Sequence, residues 1–375
     1  GPYKLDERSV PANGTDIPTM LKNRYAWNRK ANLLIMTGPA PVGYSYCNDG
    51  KHDCGKWNDT STARGNLAFL KGFFNKFPRF RENEMYLAGE SYGGIYVPLL
   101  AEAILKDSDF NVKFSGIAVG NGCLGNKVAC RVNLPKEEKT RDPNFYHAKV
   151  EFFYGHGQVS LQLYKEYQKA NCRFLDPGKT ASPECEKLWT TVLNNVTRGR
   201  NSYGLYDECQ WGPGTALPGY QSFPCRGPAG HNWVHHPTVQ KALHVKKGAN
   251  SSHAIHYTST YEDVTPLYKE LFLKQKHFRV MIYVGDTDTM LGINLQQWWM
   301  STLPITSDEK NHFRAWTLDG KRQEVGYVTD YKQNIRFVTI RGAIHMVPES
   351  KPREAALMIE SFMTNSTLPA FTTKK

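Results

Sequence analysis

The sequence predicts an α/β protein whose mainly parallel sheet is covered by helices on both faces and interrupted midway by an inserted cap. Three observations predict it. Short apolar runs alternate with helical patterns between residues 32 and 119, the rhythm is lost between 123 and 265, and it resumes at Arg279. Strands that alternate with helices pair in parallel through covered crossovers, so both faces of the sheet become buried.

Taken in order, Asn32-Leu33-Leu34-Ile35-Met36 is an apolar run closed by Thr37-Gly38-Pro39, the pattern of a buried strand ending in a turn. A helix is expected from Thr60 as N-cap, because Ala63, Leu67, Leu70, Phe74 and Phe77 recur at helical spacing until Pro78. Met85 to Ala88 reads as a second strand, and Pro98, Leu99, Leu100 and Ile104 mark the helix that leaves it. Phe114 to Val119 is a third strand. After the irregular stretch, Arg279 to Val284 is a strand ending at Gly285-Asp286-Thr287-Asp288. Phe313 to Thr317 and Val325 to Tyr331 flank the turn at Asp319-Gly320 as antiparallel strands. Phe337 to Ile340 is the last strand. Glu354 to Met363 closes the chain as an amphipathic helix with Ala355, Met358, Ile359 and Phe362 on one side. Residues 1–122 and 266–375 therefore form the sheet-bearing core, and 123–265 the cap.

The 375 residues exceed the usual span of a single core, which an insertion explains. No stretch reaches the ~18 consecutive apolar residues that a membrane helix needs. The net charge of +12 comes from scattered Lys and Arg without a basic stripe or nucleic-acid motif, which speaks against a nucleic-acid partner. Eight cysteines fall in four close pairs, Cys47/Cys54, Cys123/Cys130, Cys172/Cys185 and Cys209/Cys225, none at CxxC spacing. Disulfides in an oxidising compartment fit that pattern better than a metal site. Five N-x-S/T sequons, at Asn13, Asn58, Asn195, Asn250 and Asn365, point to the same secretory route. The first residues have no apolar signal core, so the chain is expected to be processed or incomplete at its N-terminus.

Gly89-Glu90-Ser91-Tyr92-Gly93 is a G-x-S-x-G motif between an apolar strand and a helix. Small residues two before and two after the serine permit a sharp turn that lifts the Ser91 hydroxyl above the sheet. A serine hydroxyl is a weak nucleophile until an imidazole accepts its proton, and the imidazole needs a carboxylate to fix its tautomer. On this architecture the order is Ser, Asp, His, each after a strand. Asp286 and Asp288 both follow the 279–284 strand, and His345 follows the 337–340 strand. His235-His236 lacks an acidic or cysteine partner at ligand spacing, so no metal and no cofactor are expected.

Leu87 to Pro98, with its Gly89-Glu90-Ser91-Tyr92-Gly93-Gly94 centre, closely resembles the nucleophile segment of the serine carboxypeptidases. Arg24 to Asn28, Ala31 to Leu34, Pro39-Ala40 and Val42 to Tyr46 resemble that family's upstream block. Gly120-Asn121-Gly122, Tyr283 to Asp288, and Gly342 to Pro348 with Pro352 match further blocks, and the likeness loosens within 123–265. Pro41 and Ile344 stand where the family usually has glycine.

The resemblance implies an α/β-hydrolase fold and hydrolysis of the C-terminal bond of peptides or proteins through an acyl-enzyme, with an acid optimum. It implies Ser91, Asp288 and His345 as the triad, because the acid usually sits three residues beyond the glycine. It also implies the Tyr92 backbone N–H as one oxyanion donor and Glu90 as a holder of the substrate's terminal carboxylate. Two carboxyl groups share a hydrogen bond only if one is protonated, which favours acid pH. The family's W-x-N-G-G-P-G-C-S-S segment, which gives a second oxyanion N–H and the asparagine of the carboxylate clamp, is expected before Gly1. The pairs Cys172–Cys185 and Cys209–Cys225 are implied by resemblance, and Cys47–Cys54 and Cys123–Cys130 by proximity alone. A lysosomal or secreted location follows, and a homodimer is compatible with it. The same scaffold also serves esterases, acyltransferases and non-catalytic binding or protective proteins.

Overall fold

The computed structural model describes residues 1–5, 9, 17–47, 54–125, 128, 143–176, 179–196, 201–206, 227–245, 255–307, 312–320 and 323–370. Strands β1 (Tyr3–Lys4) and β2 (Leu21–Lys22) form a short antiparallel pair. β3 (Lys56–Asn58) leads into α1 (Asp59–Lys76), β4 (Met85–Glu90), α2 (Gly93–Lys106) and β5 (Phe114–Gly120). Helices α3 (Pro143–Gly155), α4 (Leu161–Lys169), α5 (Pro183–Val196), α6 (Gly227–His235) and α7 (Pro237–Ala242) follow, then β6 (His256–Thr258) and α8 (Thr265–Glu270). The chain ends with β7 (Arg279–Gly285), α9 (Ile293–Ser301), β8 (Arg314–Trp316), β9 (Gly326–Tyr331), β10 (Ile335–Ile340), α10 (Val347–Ser350) and α11 (Pro352–Met363).

The central sheet has the order β4-β5-β7-β10-β9-β8. Its first four strands are parallel, and β9 and β8 add an antiparallel edge. Alternation along β7 shows how the sheet is buried on both sides. Val280, Ile282 and Val284 join the core that includes Leu70, Ile95 and Leu99 of α1 and α2, whereas Met281 and Tyr283 face Met358, Ile359 and Phe362 of α11. Strand composition and the closing helix thus form two cores with one sheet between them.

Two expectations need correction. Residues 32–36 form no strand, and Leu33, Leu34 and Ile35 are exposed at 41%, 41% and 69%. A five-residue apolar run carries no information about which neighbour would complete its ladder, so apolarity alone mistook it for a buried strand. The N-cap of α1 is Asn58, two residues before the expected Thr60. Asn58 Oδ1 accepts from Ser61 N and Ser61 Oγ accepts from Asn58 N, each at 2.8 Å, a reciprocal box that Thr60 would lack.

Between β5 and β7 a separate apolar cluster forms from α3, α4 and α5, including Val150, Phe153, Tyr167, Trp189 and Val192. The Val264 N–H donates to Leu124 O at 3.0 Å, so the two ends of this excursion meet beside the sheet. Cys47 is bonded to Cys54 and Cys172 to Cys185. Cys123 is also disulfide-bonded, while Cys130, Cys209 and Cys225 lie outside the described residues, as do Asn13 and Asn250. Of the other sequons, Asn58 is occupied in capping, exposed Asn195 donates to Thr191 O within α5, and exposed Asn365 follows α11 with φ 53°.

His147 stacks on Tyr167 of this cluster with 6% of its surface exposed. Trp189 Nε1 donates to Tyr167 Oη at 2.9 Å, and the same Oη lies 2.6 Å from His147 Nδ1. Burial pushes the His147 pKa down from 6.5 to about 4. Because the unfolded chain binds the proton first, stability present above pH 6.5 is lost as pH falls toward 4. At ~1.4 kcal/mol per pH unit, the loss from this group is roughly 3 kcal/mol. Thermal melts followed by near-ultraviolet circular dichroism should show the midpoint falling through that window, and His147→Gln should flatten the fall. Equal slopes in both proteins would contradict the assignment.

Candidate active site

Four parallel strands end side by side, and each delivers one residue to the same rim of the sheet: Ser91 after β4, Asn121 after β5, Asp288 after β7 and His345 after β10. Ser91 adopts φ 59°, a left-handed conformation that costs a non-glycine residue about 1–3 kcal/mol. Its surroundings fix it there. Ser91 N donates to Gly120 O at 3.1 Å, while Ser91 O accepts from Gly94 N at 2.9 Å and Cys123 N at 2.8 Å. A methyl group on Gly89 would meet Val97 Cγ2 at 2.7 Å, so the first motif glycine lets α2 press against β4.

Asp288 is fully buried. Its Oδ1 accepts from Met290 N at 2.7 Å, and its Oδ2 accepts from Asn121 Nδ2 at 2.7 Å and Leu291 N at 3.3 Å. The same Oδ2 lies 2.7 Å from His345 Nδ1. An acceptor-only carboxylate at that distance assigns the proton to Nδ1 and leaves the lone pair on Nε2. The His345 Nε2 atom is buried and has no hydrogen-bond partner among the described residues. Asp286 takes another role: its Oδ1 accepts from Gly342 N at 2.6 Å, bracing the loop before His345.

The imidazole is also held from outside the sheet. His345 N donates to Tyr203 O at 2.8 Å, and the Tyr203 ring stacks on it at 5.1 Å and 28°. Ile344, the residue that departs from glycine, is half-buried and donates its N–H to Ser350 Oγ at 3.2 Å. The Asp288–His345 contact forms with that side chain in place. Burial lowers the His345 pKa, but the hydrogen bond and charge of Asp288, with the charge of Glu90, outweigh it and raise the pKa above 6.5. Glu90 is the half-buried last residue of β4, and its charge reaches His345 and also the buried Tyr283 phenol. His235 Nδ1 contacts His231 O at 2.9 Å, and His236 caps α7.

The structure brings together the expected Ser91, Tyr92, Glu90, Asp288 and His345 and adds Asn121, which sequence reading left without a role. Asn121 has φ 39°, and its Oδ1 accepts from Gly285 N at 3.0 Å while its Nδ2 holds Asp288. An asparagine between two glycines at a strand end was the available signal, since that residue tolerates the left-handed region and carries both donor and acceptor. Lys149 of α3 was not singled out either. Its ammonium is pushed down to about 8 by burial, against the upward pull of Asp288.

Sheet order and site together define an α/β-hydrolase. The chain belongs to the serine carboxypeptidase family, whose profile matches residues 1–365, and it is an enzyme of that class. It is 31% identical to the lysosomal protective protein of Mus musculus, covering 92% of this chain and 77% of that one. It is 28% identical to serine carboxypeptidase ctsa-4.1 of Caenorhabditis elegans, covering 92% of this chain and 76% of that one. Among solved structures it resembles KEX1(delta)P, a prohormone-processing carboxypeptidase from Saccharomyces cerevisiae, with TM-score 0.67 at 19% identity over 97% of this chain and 78% of that one. That last likeness is one of fold.

The two aspartates give a direct test. Asp288→Asn should lower kcat by about 10⁴ through the wrong imidazole tautomer, whereas Asp286→Asn should stay within about tenfold because the Asp286 carboxylate holds the Gly342 amide rather than the imidazole. Steady-state kinetics on a peptide substrate would decide, and the reverse order would transfer the acid role to Asp286.

Proposed function

We propose that Ser91, His345 and Asp288 carry out peptide C-terminal hydrolysis through an acyl-enzyme. The observation that carries the reading is the 2.7 Å Asp288–His345 contact, which leaves the Nε2 lone pair available at the rim where left-handed Ser91 stands. His345 Nε2 takes the hydroxyl proton as Ser91 Oγ bonds to the scissile carbonyl carbon. The carbonyl electron pair moves onto oxygen, where the Tyr92 N–H at the start of α2 stabilises it. His345 then protonates the departing amine as the C–N bond breaks, releasing the terminal amino acid. Water repeats the cycle: it gives a proton to His345, adds to the acyl carbon, and displaces Ser91 Oγ, which regains its proton.

Glu90 supplies the exopeptidase character in this reading. It shares a proton with the substrate's terminal carboxylate, so binding weakens as pH rises and both groups ionise. The His345 pKa, raised above 6.5, works in the opposite sense, since the base form gains population only as pH rises through it. The acid optimum expected for free-acid peptides therefore rests on KM, while kcat favours neutral pH. Disulfides, sequons and the names of the relatives support a lysosomal or secreted setting. Among the described residues, no helix is long and apolar enough to cross a membrane.

A fluorophosphonate probe should label Ser91, and Ser91→Ala should abolish the label; a wild-type chain that stays unlabelled would point to a binding or protective relative. For free-acid peptides KM should rise from acid to neutral pH, and Glu90→Gln should flatten that rise. For amidated peptides or esters the activity limb should lie above pH 6.5, and Glu90→Gln should move it downward, because the Glu90 charge helps hold the imidazolium. Matching profiles for free-acid and amidated substrates would remove the carboxylate clamp and favour an esterase or acyltransferase.

A further inference from the structure

Asp59, the first residue of α1, is fully buried, and the mechanism above gives it no role. Its carboxylate accepts five hydrogen bonds. Oδ1 takes the hydroxyls of Tyr92 and Tyr257, each at 2.8 Å. Oδ2 takes Thr260 N and Tyr261 N, each at 2.6 Å, and Thr260 Oγ1 at 3.3 Å. A buried carboxylate is costly unless its lone pairs are saturated, and here neutral donors do so at the positive end of an 18-residue helix. Such a network is stiff, because every donor that leaves exposes an unmet charge.

The donors belong to two otherwise separate parts of the chain. Tyr92 follows the nucleophile, and residues 257–261 form the return path from the cap to the sheet, with β6 paired to β3 beside Asp59. The Tyr92 ring lies edge-on to Tyr96 at 4.9 Å and to Tyr257 at 6.2 Å, so its swing is restricted on two sides. We propose that Asp59 is a positioning residue: by anchoring the Tyr92 hydroxyl it fixes the peptide between Ser91 and Tyr92, whose N–H serves the oxyanion, and ties that peptide to the returning segment. This inference rests on the reading of Ser91 as nucleophile and Tyr92 N–H as oxyanion donor. Oxyanion donors act through aim, since a donor is effective only when it points at the oxygen of the transition state. Side-chain anchoring at residue 92 sets that aim from a distance, without Asp59 touching the substrate.

The test compares three single variants of the whole chain on one peptide substrate, with kcat, KM and melting temperature measured for each. Tyr92→Phe keeps the ring and removes only the anchored hydroxyl. It should lower kcat about tenfold or more, a fraction of the ~10²–10³ lost when an entire oxyanion donor is removed, with KM within about twofold. Tyr257→Phe removes a hydroxyl from the same Asp59 oxygen, but no backbone amide of the reaction belongs to it. It should lower the melting temperature to a similar extent and leave kcat within about twofold. Asp59→Asn should lose as much kcat as Tyr92→Phe, and the double variant should lose no more. If Asp59→Asn fails to fold, the contrast between the two tyrosine variants still decides. Equal kcat in Tyr92→Phe and Tyr257→Phe, whether both reduced or both unchanged, would overturn the positioning role. A wild-type chain in which fluorophosphonate never reacts at Ser91 would overturn the nucleophile reading along with it, whereas normal labelling with unchanged Tyr92→Phe turnover would overturn the Asp59 inference alone.

Discussion

The left-handed backbone at Ser91 is the constraint on which the rest of the site depends. A side chain in that conformation is stable only where its neighbours leave no alternative. The neighbours here come from the adjacent strand: Gly120 O accepts the Ser91 N–H, and Cys123 N donates to the Ser91 carbonyl. For that loop to come so close, Gly94 must lack a side chain, since an added Cβ would collide with the Cys123 backbone. The loop that secures the nucleophile also carries Asn121, whose amide holds Asp288. One connection after β5 therefore registers the nucleophile and the acid against each other, although the two are almost 200 residues apart in sequence.

Charge is handled in the same economical manner. Asp288 and Asp59 are both fully buried, and the hydrogen bonds they accept come from amides, phenols and hydroxyls and, at Asp288, from the His345 imidazole. Neutral donors delocalise a negative charge without cancelling it. Asp288 therefore retains enough field to raise the His345 pKa despite burial. An arginine in place of Asn121 would have neutralised that field and left the imidazolium formed during attack without its counter-charge.

The legible part of the fold was the part encoded by local periodicity. β5 and β7 are buried along almost their whole length and read as mainly apolar runs, the edge strand β4 and β10 carry shorter ones, and α11 reads as one apolar stripe. Ser91 and His345 stood out because each follows such a run at a turn, whereas Asp286 and Asp288 share that position and only the family resemblance favoured Asp288. Asn121 and Asp59 were not. Their importance comes from partners 167 and 33 to 202 positions away, and no local pattern reports such distances. The run at 32–36 failed for the opposite reason: its local pattern was strong, but the exposure of Leu33, Leu34 and Ile35 depends on what lies beside them.

Acid pH imposes a cost that the cap must offset. The acid conditions under which the proposed Glu90 clamp would share a proton with a carboxylate are those in which the unfolded chain gains a proton at His147 and the folded chain does not. That difference amounts to roughly 3 kcal/mol over its full range, a large share of the ~5–15 kcal/mol that separates folded from unfolded domains. Within the same cluster, Cys185 is buried beside Trp189 and joined to Cys172 across 13 residues of chain. Closing a loop of that length removes about 3 kcal/mol of freedom from the unfolded state in the chain-entropy account. The two magnitudes are equal within their precision, and only one of them varies with pH. A covalent link from the segment after α4 to α5 thus ties these helices together in the range where their buried histidine favours unfolding.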